Sequence, residues 1–102
     1  MKREIRLSNR AIKKLESILV YLEEEWSTKV KHDCIQKLDK SLKQIQKHPY
    51  SFPESEKIQG LRKCIVTRQT TVFYKYSNTT IDVVIIFDNR QNPESLLNEG
   101  KD

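Results

Sequence analysis

The side chains best suited to chemistry on an anion are five cations in the second half of the chain: Arg62, Lys63, Arg68, Lys75 and Arg90. From Lys57 to Lys75 there are five basic residues and no acid. A cationic hollow of that kind would hold a phosphate, or an acidic protein surface, by charge and hydrogen bonding. Cleavage of RNA by its own 2′-hydroxyl needs more: one group to take a proton, one to give it, and cations for the phosphorane. Proton carriers are scarce. Between Arg90 and Lys101 there is no His, Tyr or Lys, and His32 and His48 belong to a helix and its end. Tyr74 and Tyr76 would serve only if they face the ligand, and a core tyrosine is the plainer reading. Cys34 and Cys64 have no partner spacing for a metal or a redox pair, and they read as buried thiols. His32 and His48 lack ligand spacing, so neither metal nor cofactor is expected.

The elements that must position these groups follow from periodicity. Ile5 and Leu7 alternate with Arg6, which predicts a short strand over 4–8. Ser8 or Asn9 caps a first amphipathic helix whose stripe is Ala11, Leu15, Ile18 and Leu22, widened by Ile12 and Leu19. Ser27 caps a second helix carrying Val30, Cys34, Leu38, Leu42 and Ile45, flanked by Ile35. The short link makes the two an antiparallel hairpin, with Trp26 expected to staple it. His48-Pro49 stops the second helix, because the residue before proline is driven out of the α region.

After Gly60 the period becomes two. Residues 61–67, 71–77 and 80–88 read as three consecutive strands, an antiparallel meander joined by short turns. The last strand alternates Ile81, Val83, Ile85 and Phe87 with Asp82, Val84, Ile86 and Asp88. Apolar residues on both faces place it centrally, with the first strand as its neighbour. The order is β-α-α-β-β-β: an α+β fold in which a helix hairpin covers one face of an antiparallel sheet. The cations would then meet a ligand on the uncovered face, with Arg62 and Arg68 on a common side. Structural alternatives are that Arg62 holds Asp88 or the tail, and that Arg90 caps the sheet by pairing with Glu94.

The chain has 102 residues, 36% hydrophobic and 32% charged, with 19 basic and 14 acidic residues for a net charge of +5. That is one domain, expected over 1–93, with a polar tail over 94–102. No apolar run is long enough to span a membrane, and the start lacks the apolar core of an export signal, so a cytoplasmic protein is expected. Six lysines against two aspartates between Lys29 and His48 read most simply as a solvated helix face.

The ordered set Gly60-Leu61-Arg62-Lys63, Val72-Phe73-Tyr74-Lys75-Tyr76 and Ile81 to Pro93 resembles the RelE/ParE toxin superfamily of bacterial type II toxin–antitoxin systems, which include plasmid-stabilisation proteins. Leu7-Ser8-Asn9-Arg10-Ala11, with Leu15, Ile18 and Tyr21 before Trp26-Ser27, is similar to the family's opening strand and first helix. The resemblance implies a toxin neutralised by a small antitoxin, whose acidic character would suit a basic partner. Gly60-Leu61-Arg62 and Asp88-Asn89-Arg90 look closer to the ParE branch, which implies binding to DNA gyrase without chemistry of its own. The RelE branch implies instead a ribosome-dependent mRNA endonuclease, with Arg62, Arg68, Lys75 and Arg90 as candidate catalytic cations. A third expectation is a non-toxic partner-binding module of the same fold.

Overall fold

The computed structural model describes residues 2–90; the expected tail over 94–102 lies outside the described residues. The elements are β1 (Glu4–Leu7), α1 (Asn9–Glu25), α2 (Thr28–Lys47), a 3-10 turn at Pro49–Ser51, β2 (Arg62–Ile65), β3 (Thr70–Tyr76) and β4 (Thr80–Asp88). This is the expected α+β order. The Ser8 hydroxyl oxygen accepts from the Ala11 amide at 3.0 Å, and that of Ser27 accepts from the Val30 amide at 3.2 Å. Each cap satisfies an amide that has no partner within its own helix.

The strands lie in the order β1-β4-β3-β2. β4 is central, with β1 beside it as anticipated, but β1 runs parallel to it, so the sheet is mixed rather than antiparallel. The helix hairpin is the cause. Tyr21 on α1 reaches Arg90 past the end of β4, whereas Gln46 on α2 exchanges hydrogen bonds with Arg3 at the start of β1. The hairpin therefore returns the chain to the end where β1 began. β2 sets out in the same direction as β1, and two reversals later so does β4.

The main core lies between helices and sheet. Ala11, Ile18 and Leu22 of α1 and Cys34, Leu38 and Ile45 of α2 pack on Cys64, Val72, Tyr74, Ile81, Val83 and Ile86. The two β4 sets anticipated from strict alternation are reshuffled, since Ile81 and Val83 share this core with Ile86 and not with Ile85. A β-bulge is responsible: Phe73 faces Ile85 and Tyr74 faces Val83, leaving Val84 without a partner. The extra residue shifts side-chain parity by one from that point onward. The Val84 carbonyl is satisfied by the Ser8 hydroxyl at 2.7 Å, so one serine caps α1 and seals the bulge.

The second face of the sheet is not bare. Leu61, Phe73, Ile85 and Phe87 are buried there, with Ile58 and Val84 packed against them. Trp26 does not staple the hairpin. It is 64% exposed at the end of α1, where its backbone and that of Ser27 both donate to the Leu22 carbonyl. Ile12 and Ile35 likewise stay at the surface, outside the stripes they were expected to widen.

Candidate functional site

Register and parity decide where the cations go. On the face away from the helices, β1, β4 and β3 align Arg6, Asp82 and Lys75 in one row across the sheet. With Leu7, Ser8, Val83 and Val84 these residues line a shallow hollow of about 300 Å³. Arg6 is also hydrogen bonded to Glu4 at 3.1 Å, and Asp82 accepts from the Thr80 hydroxyl at 3.3 Å. Lys75 is exposed and makes no ion pair among the described residues. Lys63, opposite Phe73, is on the same face and also exposed. This row is a polar recess next to an apolar cluster, and it suits contact with a polar or anionic surface.

Arg62 goes to the opposite side. It shares a strand face with Cys64, which is buried beneath the helices, and its Nη1 donates to the carbonyls of Phe52 at 2.6 Å and Tyr50 at 3.3 Å. Its other nitrogen is 3.8 Å from Glu54, and the guanidinium lies 5.7 Å from the centre of the Tyr76 ring. Arg62 thus ties down the 50–54 segment, not Asp88 or the tail. The segment runs antiparallel along β2, with the Lys63 amide donating to the Pro53 carbonyl at 2.9 Å. Arg68 is exposed in the turn after β2, beyond the reach of the strand's alternation, and so shares no face with Arg62.

Arg90 caps the far end of the sheet. It pairs with Asp88 bidentately along one guanidinium edge, Nε donating to Oδ1 at 2.8 Å and Nη2 to Oδ2, and its guanidinium stacks 3.4 Å from the centre of the Tyr21 ring. Burial pushes the Asp88 carboxyl up, but hydrogen bonds and charge from Arg90 outweigh it and hold the group below its ordinary value. Hydrogen bonding to Asp88 in turn raises the Arg90 pKa. Glu94, the expected partner, lies outside the described residues. The five cations therefore occupy separate settings: Lys63 and Lys75 on the free sheet face, Arg62 on the helix side, and Arg68 and Arg90 at turns.

Neither tyrosine faces the hollow. Tyr74 is buried, its hydroxyl donating to the Pro49 carbonyl at 2.6 Å, and burial pushes its pKa up to about 12. A phenol held that tightly does not exchange protons near neutral pH. Tyr76 lies between the guanidiniums of Arg3 and Arg62, at 5.8 and 5.7 Å. Both cysteines are buried as anticipated, and burial raises their thiol pKa values, which leaves them inert as nucleophiles. Arg6 and Asp82 escaped sequence reasoning as site residues. Arg6 stands out of phase with Ile5 and Leu7, which puts it on the second face once β1 is set beside β4.

A protein-family model for the ParE toxin of the type II parDE toxin–antitoxin system matches residues 5–93. Among solved structures the fold is similar to one described as the chromosomal ParDE toxin–antitoxin system from P. aeruginosa. That match has a TM-score of 0.71 at 12% identity and covers 84% of this chain and 95% of that one. It is also similar to a chain of the E. coli DinJ-YafQ toxin–antitoxin complex, with a TM-score of 0.56 at 15% identity over 88% of this chain and 96% of that one. No curated protein sequence matches. At these identities the structural likeness speaks for the fold, while the family model spans most of the chain. The chain belongs to the ParE toxin family of type II toxin–antitoxin systems.

Proposed function

We propose that this ParE-family toxin arrests its host by binding DNA gyrase, not by cutting RNA, and that a small acidic antitoxin neutralises it. The observation that carries the reading is how the candidate catalytic groups are committed. Arg62 is spent on backbone carbonyls, Arg90 on Asp88 and Tyr21, and the Tyr74 hydroxyl on Pro49. Phosphoryl transfer needs cations and proton carriers converging on one atom, and these face different directions. The exposed part of the free sheet face is the charged row of Arg6, Asp82 and Lys75, with Lys63 on the same face, and a row of mixed sign suits polar contact with a protein surface. The net charge of +5 favours fast encounter with an acidic antitoxin. Both solved relatives are described as toxin–antitoxin systems, which supports a partner of that kind.

The test places purified toxin in two assays: supercoiling and cleavage by gyrase, and a reconstituted translation reaction probed for cuts in the mRNA. Gyrase-dependent DNA breaks with intact message are the expected result, and charge reversal at Lys75 should weaken them. Translation-dependent message cleavage would overturn the proposal in favour of the nuclease branch. Inactivity in both assays, with no growth arrest on induction, would overturn it in favour of a binding module.

A further inference from the structure

The lysines of α2 are one feature that the proposed gyrase contact leaves unused. Between Thr28 and Lys47 the helix carries Lys29, Lys31, Lys37, Lys40, Lys43 and Lys47 against Asp33 and Asp39. Their placement on the helix is ordered. At about 100° per residue, Lys29, Lys40 and Lys47 fall within about 20° of a single line, Lys37 and Lys43 flank it, and Asp33 is the one carboxylate within the arc. The buried side chains Cys34, Leu38 and Ile45 point the opposite way. Lys31 leaves the group, since it pairs with Glu23 of α1 at 2.6 Å. The five that remain are exposed, and the one ion pair they make among the described residues, Lys43 to Asp39 at 2.9 Å, joins two side chains that are more than half exposed.

The geometry suits a rod of phosphates. Lys40 and Lys47 are about 10 Å apart along the axis at 1.5 Å per residue, and Lys29 lies about 16 Å beyond Lys40. Long lysine stems can adjust to phosphates spaced about 7 Å apart on one strand. A shallow groove of about 280 Å³ lined by Asp39, Lys40, Lys43, Gln44 and Lys47 runs along the same face, with the Lys43–Asp39 pair on its wall and Lys40 and Lys47 unpaired among the described residues. The charge varies along the hairpin: Glu23 to Glu25 make the end of α1 beside the start of α2 acidic, while Arg10, Lys13 and Lys14 make its opening turns basic. The face carries neither an exposed aromatic nor an arginine fork aimed outward, so it has no means of reading bases.

We infer that the exposed lysine face of α2 binds the backbone of double-stranded DNA, independently of sequence. This deepens the gyrase reading and rests on it for the choice of DNA: a toxin docked through its sheet face on an enzyme that holds duplex DNA would keep this second, cationic face free on its opposite side, open to a segment of that duplex. The binding itself is a property of the toxin alone and can be measured without gyrase.

The probe is a fluorescent 20-base-pair duplex of arbitrary sequence, titrated with the intact toxin by anisotropy at 50 and 200 mM salt. Three phosphate contacts give a log–log salt slope of about −2.7, so affinity should fall roughly 40-fold between the two conditions. Lys40→Gln with Lys47→Gln should flatten that slope by about 1.8 and weaken binding at 50 mM by tenfold or more. Both positions are exposed, and glutamine is a good helix former, so circular dichroism should stay unchanged. Lys2→Gln with Lys57→Gln removes the same charge elsewhere and should leave the slope within about 0.5 of the parent. Absence of binding at 50 mM, or an equal loss in both double variants, would overturn the inference. Gyrase poisoning without duplex binding would sink the inference and spare the reading of the target. Duplex binding without gyrase poisoning would do the reverse.

Discussion

Replacing Tyr74 by phenylalanine separates a structural tyrosine from a catalytic one. The hydroxyl is buried and donates to the Pro49 carbonyl at 2.6 Å, at the point where α2 hands the chain to the 50–54 segment. The substitution removes one buried hydrogen bond and leaves an acceptor unpaired, a cost of about 2 kcal/mol. For a chain of this size that lowers Tm by about 10 °C. The pH dependence gives a second, independent reading. Folding raises the Tyr74 pKa to about 12 from an ordinary 10, so the folded state holds this proton more tightly than the unfolded chain. The stabilisation is therefore complete below pH 10 and is lost as pH climbs from 10 to 12, amounting to about 2–3 kcal/mol over two units. Urea unfolding of parent and Tyr74→Phe at pH 8, 10, 11 and 12 should show a gap at pH 8 that narrows steadily and closes near pH 12. Growth arrest by the variant should persist at temperatures below its Tm. Equal stability at pH 8, or parallel pH profiles, would refute the structural argument; loss of arrest with an unchanged Tm would make Tyr74 a catalytic group.

Three further substitutions probe the joints that set the site. Ser8→Ala removes both the cap of α1 and the donor to the bulge carbonyl of Val84, and should cost about 1–2 kcal/mol in urea unfolding, with faster amide exchange in the first turn of α1. Arg62→Met frees the carbonyls of Tyr50 and Phe52, and should cost about 2 kcal/mol while making the 50–54 segment the first site cut by a protease. Asp88→Asn breaks the charged pair with Arg90. Because the folded pKa of Asp88 lies below its ordinary 3.8, its contribution is present above that value and lost as pH falls through the folded pKa. Parent and variant should therefore differ by about 1–2 kcal/mol at pH 7 and converge as pH falls below 3.8 and through the folded pKa, as read by acid unfolding monitored by circular dichroism.

The helices were legible because their signals are local. A serine cap, a stripe at three- and four-residue spacing and a terminating proline each act within one or two turns; α2 is capped by Ser27 as expected, and α1 by Ser8, the first of its two candidates. The sheet was legible in its order but less so in its faces. Val83, Val84, Ile85 and Ile86 are all apolar, so no contrast along that stretch marks the residue at which parity changes. The change is fixed by a contact between residues far apart in sequence, the Ser8 hydroxyl on the Val84 carbonyl. The direction of β1 was hidden for a related reason, since hydrophobic alternation reads the same in parallel and antiparallel pairs.

The candidate site was the least legible part, and the bulge accounts for much of it. Counting alternation along β2 alone would put Arg62 and Arg68 on one face, but that inference fails once the strand ends at Ile65 and the turn takes over. Counting along β4 alone would keep Ile85 and Phe87 on the face of Ile81 and Val83, beneath the helices. The extra residue at position 84 sends them to the far side instead, where they bury Phe73 and Leu61. The bulge therefore does two things to the functional surface. It builds an apolar cluster on the face expected to be bare, and it leaves Arg6, Asp82 and Lys75 as a charged row on the side of the bulge where β1 pairs, with Lys63 across the cluster on β2. With the apolar half buried, what the face presents is a row of mixed sign, Arg6 and Lys75 on either side of Asp82, which is suited to polar contact with a protein and poorly suited to surrounding a phosphate with cations.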